Sequence, residues 1–219
     1  MKNLSLIKNL LSVLFPEHCL ACGQGGKTIC GACANELPRA PRIDDWTIAA
    51  LDYGDRRVKR AVWLFKYRNR RALGPIFARL LADLLAEDLA ERKIMRNFSA
   101  PLLVPIPISA KRFRERGYNQ CEILAEELSK SLGDSLKLQA KLLRKIRHTE
   151  QQAKTVNKRA RLENLKGSFD VSKEKESMVR GRNIILLDDV VTTGATFAEA
   201  STILRKAGVK KILRVALAH

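Results

Sequence analysis

The sequence contains no stretch long and apolar enough to cross a membrane as a helix. Its apolar runs are short and broken by charge or proline, whereas a span takes about 20 consecutive apolar residues. Aromatic residues make up only 5% of the chain, and Trp46, Trp63, Tyr53, Tyr67 and Tyr118 are its only tryptophans and tyrosines. So few rings argue against extensive base stacking, and Trp63 reads as a core residue. There is no internal repeat and no low-complexity tract. A leucine-rich start (Leu4, Ile7, Leu10, Leu11, Leu14) has the spacing of a short amphipathic helix over 2–15. No small-residue cleavage site follows it, so a signal peptide is disfavoured and a cytoplasmic protein is expected.

Acidic residues are scarce as well. Against 41 Lys+Arg stand 23 Asp+Glu, a formal net charge of +18. The excess is gathered in 56–71, 111–116 and 141–161. A chain this basic holds polyanions or presents a solvated cationic surface, and the clustering favours the first. With 219 residues and 46% apolar composition, one full core and a small accessory module can form, but not two large domains.

Four of the five cysteines occur as Cys19-x2-Cys22 and Cys30-x2-Cys33. This is the spacing of a zinc knuckle or ribbon, with each pair on a tight turn and both thiolates facing one tetrahedral ion. Gly23, Gly25, Gly26 and Gly31 are candidates for the positive-φ positions of such turns. Two disulfides or free thiols are the alternatives, and a reducing cytosol argues against the first. Four thiolates fill a coordination shell, so zinc here is expected to be structural. A redox-sensing role would require Cys19 or Cys33 to react in the presence of zinc. Cys121 stands alone in a helical pattern and reads as a packed, inert thiol.

Two prolines near 38–41 mark a linker. Beyond it, a strand is expected over 46–53 and a basic helix over 55–67. Gly74-Pro75 breaks the pattern, and a helix follows over 76–92. From residue 100 the rhythm is strand, helix, strand: a strand over 102–106, a polar loop, a helix over 118–132 and a strand over 136–143. A long polar stretch and a small strand over 168–171 come next. Ile184 to Leu187 is fully apolar, as a central parallel strand would be. A helix over 195–207 and a strand over 211–217 end the series. Such alternation implies an α/β fold with a mostly parallel sheet flanked by helices.

In an open parallel sheet, ligands bind beyond the carboxyl ends of the strands. Ile184 to Leu187 delivers Asp188 and Asp189 to that edge. Two adjacent carboxylates are costly there unless a ligand or cation uses them, and they suit the paired hydroxyls of a ribose. Thr192-Thr193-Gly194-Ala195-Thr196 then enters a helix, offering backbone N–H groups, hydroxyls and a positive dipole end to a phosphate. An ordinary connection with Thr193 as N-cap is the alternative. In Arg116-Gly117-Tyr118-Asn119-Gln120, Tyr118 could stack on a base while Arg116 meets phosphate. Equally, Gly117 could be a turn, Asn119 a cap and Tyr118 a packing residue.

The run from Leu186 to Thr196 resembles the phosphoribosyl-diphosphate (PRPP) signature of type I phosphoribosyltransferases. The cysteine pairs, Lys66-Tyr67-Arg68, Val104-Pro105-Ile106-Pro107 with 112–120, and 149–164 resemble the ComF/GntX family of competence-associated phosphoribosyltransferase-like proteins. The resemblance implies a type I phosphoribosyltransferase fold over 42–219, preceded by a helix and zinc module over 1–41. It implies that Asp188 and Asp189 hold the ribose hydroxyls, and that Thr192, Thr193, Gly194, Ala195 and Thr196 hold the 5-phosphate. Pyrophosphate would fall to the loop after the first strand of that fold, at Ser109, Ala110, Lys111 and Arg112. A mobile hood would lie over 144–166, where Arg147, Lys154, Lys158 and Arg159 are candidates for pyrophosphate or nucleic acid; a surface loop is the alternative. Mg²⁺ would be held by PRPP oxygens.

Two functions are compatible with these features. One is a PRPP-dependent transferase of nucleotide or nucleobase metabolism, in which no side chain need attack and none is assigned as catalytic. The other is a PRPP-binding protein of competence and DNA uptake that handles single-stranded DNA, for which the charge speaks. Partners are then PRPP, single-stranded DNA and DNA-uptake proteins.

Overall fold

The computed structural model describes residues 17–146 and 165–219. The expected helix over 2–15 and the hood candidates Arg147, Lys154, Lys158 and Arg159 lie outside the described residues. Strands β1 (Thr47–Leu51), β2 (Leu102–Pro105) and β3 (Lys137–Leu138) belong to one sheet. β4 (Leu143–Lys145) and β5 (Phe169–Val171) pair separately as an antiparallel ribbon. β6 (Asn183–Val190) and β7 (Lys211–Ala218) return to the first sheet, whose order is β1-β7-β6-β2-β3 with every pairing parallel.

Successive side chains of a strand point to opposite faces, and the two faces of this sheet meet different helices. Ile185 and Leu187 of β6 join Leu103, Leu213 and Val215 in one apolar cluster. Helices α1 (Gly31–Asn35), α2 (Arg56–Tyr67) and α3 (Leu73–Met95) contribute to that cluster. Ile184 and Leu186 face the other way, with Leu102, Val104 and Ile212. Between β2 and β3 in the chain come α4 (Ala110–Arg116) and α5 (Gln120–Leu132), of which α5 packs Leu124, Ala125 and Leu128 on the first face. After the short α6 (Glu176–Val179), helix α7 (Ala195–Lys206) covers the second face with Phe197, Ala200 and Leu204. Each fully buried Leu or Phe contributes about 1.5–3 kcal/mol. A strand buried on both sides therefore has to be apolar throughout, as Ile184 to Leu187 is.

Local signals explain the helix bounds. The Asp55 carboxylate caps α2, accepting from the backbone N–H of Arg57 (2.7 Å) and Val58 (3.2 Å). Asn119 caps α5 through Cys121 N–H at 3.1 Å, and Gly117 ends α4 at φ +75°.

Three expectations are corrected. Gly74-Pro75 does not break the chain before a helix; both lie in the first turn of α3, where proline's missing N–H has no partner to lose. Gly74 is there because α3 and α5 approach closely: a Cβ would lie 2.6 Å from Ile123 Cγ2. The strand expected over 136–143 is two short pieces, β3 and β4, in different sheets. The polar loop before residue 118 contains α4, whose only apolar side chain beyond Ala110, Phe113, is exposed; an apolar-stripe criterion has nothing to find in it.

The cysteine turns use positive φ at Gly23 (+76°) and Gly26 (+90°), but not at Gly25 or Gly31, which begins α1. Cys19, Ile29, Cys30, Cys33 and Leu37 are buried in the same apolar cluster as α2 and α3. Among the described residues, no helix is long and apolar enough to cross a membrane.

Candidate functional site

At the carboxyl end of β6, the central strand carries Asp188 and Asp189 to the edge of the sheet. There they line a cavity of about 280 Å³. Two buried carboxylates side by side need a compensating cation, and the molecule supplies its own. Lys66, from the last turn of α2, places Nζ 2.9 Å from Asp189 Oδ1. Burial alone would lower the Lys66 ammonium, but the charges of Asp189 and Asp188 outweigh it and hold the amine above its ordinary value. Among the described residues Asp188 has no such ion pair. Burial, then the neighbouring Asp189 charge, raise its carboxyl to about 6, although it accepts the Asp189 N–H at 2.8 Å.

Cys121 Sγ lies 3.5 Å from Asp188 Oδ1. Burial first, and the Asp188 charge next, push this thiol well above its usual range, so it is a packed thiol on the cavity floor. Cys121, Asp188 and Asp189 have donor atoms near enough to share a cation, but at Asp189 the ammonium of Lys66 already fills that role.

Helix α7 begins directly behind the acids. Its N-cap is Gly194 at φ +73°, and no side chain caps it. The Thr193-cap alternative is therefore excluded. The first amides of the helix have no intrahelical acceptor by geometry, so its positive end is open to an anion. The loop divides between two sides: Thr192 and Thr196 line the cavity with the two acids. Thr193 and Gly194 line a second cavity of about 340 Å³, which Thr192 also reaches, while Ala195 is buried.

Of the residues expected at pyrophosphate, Arg112 alone lines the cavity. Ser109 is buried as the cap of α4, accepting Arg112 N–H at 3.3 Å, and Lys111 is exposed. Two further cations line the cavity: Arg116, a phosphate candidate from its sequence segment, and Lys145, which the sequence did not mark. Arg116 lines the cleft, hydrogen-bonded to Gln120 Oε1 at 3.0 Å and Tyr67 at 3.2 Å. Lys145 enters from β4, its Nζ 5.1 Å from the Phe169 ring centroid across the ribbon. Burial, then the charge of Arg112, lower this amine to about 8, with Asp188 acting in the opposite sense. Lys145 lay unmarked in a basic run.

Tyr118 is not a stacking residue. It is 5% exposed, its ring packs near Phe65, and its hydroxyl donates to the Phe65 carbonyl. Trp63 is corrected in the opposite direction. It stands 36% exposed at the cavity mouth rather than in the core.

The cysteine cluster fits a zinc knuckle. All four sulfurs lie within 4.8 Å of one another, and Cys22 Sγ is 3.7 Å from Cys30 Sγ. A tetrahedral zinc with bonds of about 2.3 Å puts its sulfurs about 3.8 Å apart. All four are free thiols, not disulfides. Burial would raise Cys19, but the backbone N–H groups of Cys22, Cys30 and Ala21 outweigh it and bring the thiol to about 6.

Comparison with known proteins agrees with this arrangement. A model of the phosphoribosyl transferase domain matches residues 118–219. The chain is 31% identical over 201 residues to competence protein F of Haemophilus influenzae, covering 90% of this chain and 82% of that protein. It is 31% identical over 186 residues to DNA utilization protein YhgH of Salmonella typhi, covering 84% and 74% respectively. Among solved structures, the glutamine PRPP amidotransferase of Bacillus subtilis superposes with a TM-score of 0.44 at 14% identity, over 71% of this chain and 30% of that one. The parallel sheet, its flanking helices and these relatives together place the chain in the ComF family, with a type I phosphoribosyltransferase fold behind an N-terminal cysteine cluster.

Proposed function

We propose that the cleft binds PRPP and that the protein serves competence or DNA uptake by handling single-stranded DNA. One observation carries the first part: Asp188 and Asp189 share a cavity with the loop leading to the uncapped end of α7, with Arg112, Arg116 and Lys145 opposite. In this reading the two acids hold the ribose hydroxyls and Thr192 to Thr196 the 5-phosphate. Arg112, Arg116 and Lys145 face the pyrophosphate. Mg²⁺ held by PRPP oxygens would supply charge neutralisation. The chain's own residues bind, orient and exclude water; none attacks.

The second part rests on the formal charge of +18 and on relatives named for competence and DNA utilization. The reading includes a cytoplasmic location, a structural zinc on Cys19, Cys22, Cys30 and Cys33, and a division at residue 41. An active transferase of nucleotide metabolism is the second reading. It is favoured by the Asp188 carboxyl, which at about 6 exchanges its proton near neutral pH.

Thermal melts with PRPP and Mg²⁺ test the site. A shift is expected for the wild type and none for Asp188→Asn/Asp189→Asn; a wild type that does not shift ends the PRPP reading. Release of pyrophosphate in the presence of candidate bases distinguishes turnover from binding alone.

A further inference from the structure

A line of rings and guanidinium groups leads out of the cleft along one face of α2. Trp63 and Tyr67 stand one helical turn apart with ring centroids 6.3 Å from each other. They are 36% and 50% exposed, and both line the cavity mouth. Each ring carries arginine. The Arg116 guanidinium lies 4.7 Å from the Tyr67 centroid. Those of Arg60 and Arg68 lie 4.9 Å and 5.1 Å from the Trp63 centroid. Among the described residues none of these three arginines meets a carboxylate. Arg60 and Arg68 do not line the cavity, so the line continues beyond the ribose-phosphate cleft.

A single exposed ring is ordinary, but two adjacent exposed rings at a cavity mouth form a patch of the kind that marks an interaction surface. A lone base would need one ring face and no arginine outside the cavity. Two rings alternating with three unpaired cations match a polymer in which planar bases alternate with phosphates. A duplex stacks its bases on one another and offers no face to Trp63 or Tyr67.

We propose that Arg60, Trp63, Tyr67, Arg68 and Arg116 form a docking track for single-stranded nucleic acid, and that this track leads into the ribose-phosphate cleft. The inference rests on the DNA-handling reading but not on PRPP binding. Bases stack on Trp63 and Tyr67 while the guanidinium groups turn to the phosphates. The track therefore brings one nucleotide of the strand to the mouth of the cavity that holds Asp188 and Asp189.

Titration with a dT20 oligonucleotide tests this, followed by tryptophan fluorescence and by anisotropy of labelled dT20. The wild type should bind with strong quenching, because Trp63 is one of only two tryptophans. Trp63→Ala/Tyr67→Ala should lose at least about tenfold in affinity and most of the quenching, with the melting temperature checked to confirm folding. Arg60→Gln/Arg68→Gln should flatten the plot of log K against log salt by about 1.4. Unchanged dT20 affinity in the ring variant overturns the track while leaving the DNA-handling reading standing. No binding by the wild type overturns both. Duplex DNA bound as tightly, with the same dependence on Trp63, overturns single-strand docking. Free adenine or thymidine that quenches as strongly at equal nucleotide concentration makes the wall a lone-base subsite and overturns the strand.

Discussion

Lys66 Nζ lies 2.9 Å from Asp189 Oδ1, joining the last turn of α2 to the end of the central strand. The contact ties a helix outside the matched phosphoribosyl transferase segment to the acids inside it. Removing one partner of a buried pair leaves an uncompensated charge. Lys66→Met should therefore destabilise the fold by about 3 kcal/mol in urea, and Lys66→Met/Asp189→Asn by clearly less than the two single changes summed. Strict additivity would mean that the pair is not coupled.

The Asp188 carboxyl titrates in the folded state at about 6, above its ordinary 3.8. Between those values the folded protein binds more protons than the unfolded chain, so this residue makes stability fall as pH rises from about 4 to 6, and level above that. Asp188→Asn should remove that slope and be more stable than wild type above pH 6, by up to about 3 kcal/mol. Melts across pH 4 to 8 measure the difference; parallel wild-type and variant curves would contradict it.

Lys145 loses its charge near pH 8 because it is buried beside Arg112. An anion in the cleft favours the charged amine. Affinity for inorganic pyrophosphate should thus hold steady below pH 7.5 and weaken above 8, by up to about tenfold per pH unit. In Lys145→Met the affinity should be lower and this component of the pH dependence absent. Calorimetric titration at several pH values decides it, and a variant with the wild-type profile would remove Lys145 from the anion site.

Gly74 leaves no room for a side chain, with Ile123 Cγ2 at 2.6 Å from the position of a Cβ. Gly74→Ala should cost about 1–3 kcal/mol by overpacking, despite alanine's better helix propensity. Ile123→Ala in the same chain should recover part of the loss. A stabilised Gly74→Ala would show that α3 and α5 can separate freely.

Zinc on the cysteine cluster should amount to one equivalent per chain by colorimetric thiol displacement. Cys22→Ser should lower both metal content and melting temperature, since Cys19, Cys30 and Cys33 are packed with Ile29 and Leu37 in the main core. Full stability after complete metal removal would rule out a structural metal.

Much of the site could be read directly from the chain, because it is encoded locally. An apolar strand buried on both faces, two acids at its end and a helix entered through glycine are neighbours in sequence, so Asp188, Asp189 and Thr192 to Thr196 were identifiable as a group. The cysteine pairs are local in the same way: a CxxC turn brings two sulfurs together whatever surrounds it. Helix α4 and the split of β3 from β4 were not legible, since neither carries an apolar period of its own.

Other decisions belong to contacts between distant segments. Lys66 meets Asp189, Lys145 faces Arg112, and Tyr67 stacks under Arg116 only once α2, the β4–β5 ribbon and α4 converge on the end of β6. Exposure is decided there too. Tyr118 is buried against Phe65, while Trp63 is left open between two arginines. Ring type and helical spacing are the same in either environment. What separates them is which neighbouring element covers the ring, and local residue pattern carries no such information.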